Sequence, residues 1–360
     1  MKPTEHLSRN TEAVVDILAA MIKRELSEYS SSSRGGYLDH PSYPTMVTAV
    51  DRAKLVDWCY DIIDHCQLSR GTVASAMEMV DRFLSLTSNS TDADAARVSD
   101  EALEDQSKFQ LLAVTALYVS VKLNEKEVIP SDKFSSEVCH HVYSAKEIED
   151  MERILLSGLS WRCHAPTAYQ VGLSILSLLL PYVDMSEATW GFLMEEMKYL
   201  TELAVRDYYF SKQRTSTIAL AAILNAIGDM TATRLKDRLG ACLGVIMECF
   251  EFDHPTKIAV AMTRLKILAN SPELLDDMDV DMDDERSFDD VSITTRKVSN
   301  TSTQMSVLLE CHSVPRRPRG DSSGNVSDVS PRSSLRDIFD QDLYDLSCDD
   351  HYAGESRRPQ

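Results

Sequence analysis

The chain has 360 residues, of which 43% are hydrophobic and 26% charged. That is the composition of a globular protein with room for two cores, and it excludes a largely disordered or membrane-embedded chain. The formal net charge is −20, with no basic stripe of the kind a phosphate backbone requires, which argues against nucleic-acid binding.

No apolar run reaches the roughly eighteen residues needed to span a bilayer. "VGLSILSLLLP" (171–181) comes nearest, but it is short and ends in proline. "MKPTEHLSRN" lacks the basic start and apolar stretch of a secretory signal, so the chain is expected to be intracellular, with no membrane partner.

Residues 1–45 form an N-terminal arm with one amphipathic segment. "TEAVVDILAAMIKREL" (11–26) sets Val14, Val15, Leu18, Met21, Ile22 and Leu26 on one side, and the Ser- and Gly-rich "YSSSSRGGY" follows as a linker. From 46 to 165 the pattern is helical. "DRAKLVDWCYDIIDHC" (51–66) and "TVASAMEMVDRFLSL" (72–86) carry apolar residues at three- and four-residue steps. "FQLLAVTALYVSVKLNEKE" (109–127) is apolar on all sides, which predicts an enclosed central helix, yet Lys122 sits within it. "YSAKEIEDMERILLSGL" (143–159) opens with a Ser144/Glu147 capping box, and Gly158 is expected to help end it. The acidic stretch 87–107, "TSNSTDADAARVSDEALEDQS", reads as a long loop without structure of its own.

A second helical set is expected over 166–270, with helices at 166–180, 187–209, 215–227, 233–251 and 255–270. Its small-residue segment "TSTIALAAILNAI" should be the central helix. Residues 271–360 hold twenty acids and ten bases and read as a disordered acidic tail. The fold class is therefore all-α. No segment shows the alternating pattern of a strand.

Eight cysteines occur without any CxxC. Cys59 and Cys66, like Cys242 and Cys249, lie seven apart on one helical face and read as core-lining thiols. "CHH" (139–141) and "RCH" (162–164) lack a second ligand pair at finger spacing, so neither a metal nor another cofactor is expected.

"RAKLVDW", "DRFLS", "FQLLAVTALYVSVKLNE" and "YSAKEIEDMERILLSGLSWRCHAPT" follow one another in the order and spacing of the cyclin box. The chain resembles a cyclin of the cell-cycle type, well over 11–166 and more divergently over 167–270. The resemblance implies tandem five-helix cyclin folds, a first one at 46–165 and a second, divergent one at 166–270. It implies a regulatory subunit, with no catalysis of its own, that binds and activates a cyclin-dependent serine/threonine kinase in the nucleus and cytoplasm. Lys122 and Glu152 match the lysine and glutamate that face the kinase in that family, and Leu123, Leu156 and Trp161 match further kinase-binding positions. Arg52 and Asp81 match a buried structural ion pair.

The family's docking patch for RxL-type substrates or inhibitors retains Leu55, Trp58, Asp61 and Gln110 here. Asp51 and Lys54 replace its outer apolar residues, so docking is expected to be weak. In the tail, Ser271 and Ser330 each precede a proline and are candidate phosphorylation sites, and "PRRPR" (315–319) is a thin nuclear-import candidate.

Two readings compete with the kinase regulator. The transcription factor IIB family uses the same tandem fold on DNA or in a transcription complex, but it needs a basic face and usually a zinc ribbon. A helical enzyme would need a motif such as a Gly-rich phosphate loop, HExxH or GxSxG, and none is present.

Overall fold

The computed structural model describes residues 3–29, 36–39, 45–86, 92–126 and 129–270, with 3–10 as backbone alone. The tail from 271, with Ser271 and Ser330, lies outside the described residues. So do 87–91 and most of the Ser- and Gly-rich linker. Thirteen α-helices, and no strand, occur among the described residues.

Helix α1 (Pro3–Ser27) leads, and α2 (Ala49–His65), α3 (Gly71–Leu84), α4 (Ala93–Glu104) and α5 (Gln106–Asn124) follow. A short α6 (Ser131–Lys133) runs into a π-turn at Phe134–Val138, and α7 (Ala145–Gly158) completes the first set. The second set is α8 (Ala168–Leu179), α9 (Glu187–Arg206), the single-turn α10 (Tyr208–Ser211), α11 (Thr215–Gly228), α12 (Thr233–Cys249) and α13 (Pro255–Asn270).

Local chemistry starts these helices. Thr48 with Asp51, Ser144 with Glu147 and Thr167 with Gln170 form reciprocal capping boxes at α2, α7 and α8. Asp92, Asp105 and Ser186 cap α4, α5 and α9 through their side chains. Each such cap satisfies backbone donors that the helix itself leaves free.

Two apolar cores result. The first surrounds α5, all of whose side chains from Leu112 to Val121 are buried, and it draws on α2, α3, α4 and α7. The second surrounds α11, buried from Thr215 to Ile227 and wrapped by α8, α9 and α13. Leu18 and Ile22 of α1 are part of this second core. The N-terminal helix thus packs on the second set instead of standing as a free arm, while Val15 and Leu26, expected on its apolar side, are exposed.

The acidic segment at 87–107 departs from the expectation of a structureless loop. From Asp92 it is an amphipathic helix, α4, that buries Ala95, Val98 and Ala102. Its alanines signal a close-packed helix, and its acidic exposed face hides that signal when charge alone is counted.

Gly158 is a second departure. Its backbone is ordinary helix, and α7 ends with Ser160 and Trp161 at positive φ of 51° and 61°. Trp161 N–H donates to the Leu156 carbonyl at 2.8 Å, the six-to-one bond of a Schellman ending, with Ser160 in the left-handed position usually given to glycine. Gly158 serves packing: a Cβ there would lie 2.8 Å from Ala95 Cβ and 2.9 Å from Phe83 Cε2. Gly158→Ala is therefore expected to lower stability by about 1–3 kcal/mol by prising α7 from α3 and α4, measured as a fall in the denaturation midpoint.

The two cores are tied by polar contacts. The Arg52 guanidinium chelates Asp81 through Nε–Oδ1 at 2.9 Å and Nη2–Oδ2 at 2.7 Å. Its Nη1 donates to the carbonyls of Val205 (2.7 Å) and Arg206 (3.3 Å) at the end of α9. Tyr37 O–H donates to Asp81 at 2.8 Å; burial first, then the Asp81 charge, pushes that phenol well above its ordinary pKa. Arg70 pairs with Glu202 at 2.8 Å, and Arg206 with Asp57 at 2.9 Å.

Of the cysteines, Cys59, Cys139 and Cys163 are buried, whereas Cys249 is exposed. Burial pushes the Cys59 and Cys139 thiols up to about 12, which leaves them inert at neutral pH. Among the described residues, no cluster of three metal-ligating side chains occurs, and no helix is long and apolar enough to cross a membrane.

Candidate functional site

The last turn of α5, like its first, leaves the core. Lys122 emerges there, and its ammonium Nζ lies 2.6 Å from Glu152 Oε1 on α7. It also stands 4.8 Å from the centre of the Tyr118 ring, one turn earlier on the same helix. A carboxylate and an aromatic face together make a partly desolvated lysine tolerable on an otherwise apolar helix. The pair is incompletely covered, with about a third of the Lys122 side chain exposed and 15% of the Glu152 side chain.

Apolar groups at the end of α5 and in the turn after α7 lack a full complement of neighbours. Leu123 is 41% exposed and Trp161 is 72% exposed. Leu156 lies one turn beyond Glu152 on α7, is partly buried against the first core, and accepts the Trp161 backbone bond described above. The end of α5 and helix α7 thus bring Lys122 and Glu152 together, with Leu123 following Lys122 in the chain and the Trp161 backbone joined to Leu156. Tyr118 belongs to the same site and was not singled out from sequence. Its position four residues before Lys122 was the available signal.

The residues matched to a docking patch are placed otherwise. Leu55 is 0% exposed, Trp58 5% and Gln110 6%, all within the first core, and Tyr143 O–H donates to Gln110 Oε1 at 2.7 Å. Asp51, expected as a charged rim, is buried as the capping-box partner of Thr48. Only Asp61 is exposed. Its carboxyl is raised above the ordinary range, first by desolvation and then by Asp57 and Asp64, with Arg70 opposing. These four residues therefore do not form an open apolar groove: the helical period brings Leu55 and Trp58 onto the inner face of α2.

Arg52 and Asp81 do meet as an ion pair, and the pair does more than join two helices of one fold. Its spare Nη1 reaches the second set, a link that sequence matching could not show.

Residues 16–164 match a family model described as "Cyclin, N-terminal domain". Residues 16–164 thus carry a cyclin N-terminal domain. This cyclin box covers the first core except for Tyr208, and the site just described, whereas the second helical set lies beyond the matched range.

Proteins similar to this chain include Cyclin-O protein A of Xenopus laevis, 25% identical over 214 residues, covering 56% of this chain and 54% of the relative. G2/mitotic-specific cyclin-B2 of Oryzias luzonensis is 28% identical over 180 residues, with 49% and 40% covered. Cyclin-B1-4 of Arabidopsis thaliana is 25% identical over 229 residues, with 60% and 53% covered. The alignments span about half the length of such relatives, or less.

Proposed function

We propose that this cyclin is the regulatory subunit of a cyclin-dependent serine/threonine kinase and that it docks the kinase on the face built by α5 and α7. The observation that carries the reading is the Lys122–Glu152 pair, a partly covered ion pair on a close-packed fold that also leaves Leu123 and Trp161 exposed. A rigid charged centre with an aromatic anchor beside it is the anatomy of a protein-binding hot spot. In this reading, which the resemblance to cell-cycle cyclins supports, the kinase's regulatory helix lies over the pair. Holding that helix in place lets the kinase's own Lys–Glu ion pair form, so activation needs no catalytic group from the cyclin. We read residues 166–270 as a second, divergent cyclin fold that buttresses the first through Arg52 and Arg70, and we expect little substrate docking of the RxL type.

Affinity capture with the full chain, followed by identification of the co-purifying kinase, tests the reading directly. Lys122→Glu should put two carboxylates side by side and weaken the complex by about 2–5 kcal/mol. Because this pair is partly exposed, the free cyclin should keep its melting temperature nearly unchanged. A folded Lys122→Glu protein that still captures and activates the kinase would exclude this face as the interface.

A further inference from the structure

A second surface, on the opposite helical set, is left uncovered. Arg234, Arg238, Ala241 and Val245 recur at four-, three- and four-residue steps along α12, and all four are exposed. Arg238 Nη2 donates to the Tyr182 carbonyl at 3.0 Å, which brings the exposed Leu180 and Tyr182 of the turn after α8 beside the same strip. The result is an apolar band with two guanidinium groups in it. Among the described residues neither arginine has a carboxylate partner, although the chain carries a net charge of −20. An apolar surface studded with unneutralised arginines fits an acidic amphipathic helix.

The chain contains a segment with that sequence pattern. "LRDIFDQDLYDL", residues 335–346, lies outside the described residues but has a definite pattern. Leu335, Ile338, Phe339, Leu343 and Leu346 share one side of a helical wheel, and Asp337, Asp340 and Asp345 lie off that side. Asp342 falls inside the apolar stripe, where it would need a cation on the receiving surface. Ser334, followed three residues later by Asp337, supplies a capping pair at the start.

We infer that residues 335–346 dock on the strip formed by α12 and the turn after α8, with Phe339 and Leu343 against Tyr182 and Val245 and Asp342 against Arg234 and Arg238. Sixty-four residues separate Asn270 from Leu335, a length whose random-coil span is roughly 45 Å. Attachment also raises the effective concentration of the segment at the strip to about the millimolar range, which favours this occupant over a free partner.

Deuterium uptake of residues 335–346 in the full chain tests the inference. Exchange there should be about tenfold slower than for an unstructured segment and independent of protein concentration. Arg234→Glu with Arg238→Glu should abolish the protection, and adding Asp342→Arg should restore part of it. Phe339→Asp should abolish it without touching the folded core, which guards against a core variant that simply misfolds. Three results would overturn the inference: unprotected exchange in the wild type, protection insensitive to these changes, or protection that grows with concentration and so points to a second copy.

Discussion

Leu224→Asp is expected to unfold the second helical set. Leu224 is 0% exposed at the centre of α11, beside Ile223 and among Ala221, Ala222 and Ala226, with α8, α9 and α13 packed around the helix. The alanines let those helices approach closely, so no water can follow a carboxylate in. Losing the leucine forfeits about 1.5–3 kcal/mol of apolar burial. An unpaired carboxyl in its place costs several kcal/mol more, whether it ionises or takes up a proton. The total approaches the roughly 5–15 kcal/mol that holds an entire domain together. Circular dichroism should show a lost or much lower transition for this half of the molecule, and soluble yield should fall. A soluble variant with the parental melting curve would mean that α11 is not a core helix and that 166–270 is not a fold built around it.

The second large effect is expected from Glu25, which is 2% exposed although it sits on α1, 189 residues from its partner Arg214. Its Oε2 accepts from Arg214 Nε (3.0 Å) and Nη2 (2.8 Å) and from Ser216 Oγ (2.6 Å). Its Oε1 accepts from Thr215 Oγ1 (2.6 Å) and from Ser216 N–H (2.8 Å). Arg214 occupies the N-cap position of α11 and makes no side-chain cap there. The carboxylate of α1 thus performs that duty from a distant segment, where the positive end of the helix favours an anion.

Glu25→Ala strips these donors at once and leaves a buried guanidinium with Asp253 at 3.4 Å and the Glu251 carbonyl as its remaining partners. Breaking a buried pair by removing one member costs about 3–5 kcal/mol, which for a chain of this size lowers the melting temperature by roughly 6–20 °C. Faster deuterium uptake over residues 11–27 should accompany the fall, because Glu25 is what fastens α1. Glu25→Gln keeps the shape and part of the hydrogen bonding, so its loss should be smaller. A Glu25→Ala protein with unaltered melting and exchange would show that α1 docks through Leu18 and Ile22 alone.

Much of the helical layout was legible without coordinates, because what sets it is local. Expected spans of 187–209, 215–227 and 255–270 become Glu187–Arg206 with Tyr208–Ser211, Thr215–Gly228 and Pro255–Asn270. Apolar side chains at three- and four-residue steps and a side-chain cap act within one or two turns, so neighbouring letters suffice. The Ser144/Glu147 box and the enclosed characters of α5 and α11 were readable on those grounds, as was the oddity of Lys122 on an apolar helix. Long-range closure was not readable. The pattern of α2 puts Leu55 and Trp58 on its apolar face, whereas the docking patch was implied by the resemblance alone; what covers that face is set by the packed core, which encloses both residues. The acids of α4 masked its alanine-rich inner face, because charge on one side of a helix says nothing about the other. Glu25 with Arg214, and Arg52 with the carbonyls of α9, join segments more than 150 residues apart. A buried charge is stable only where its counter-charge arrives, and tertiary packing alone brings the two together.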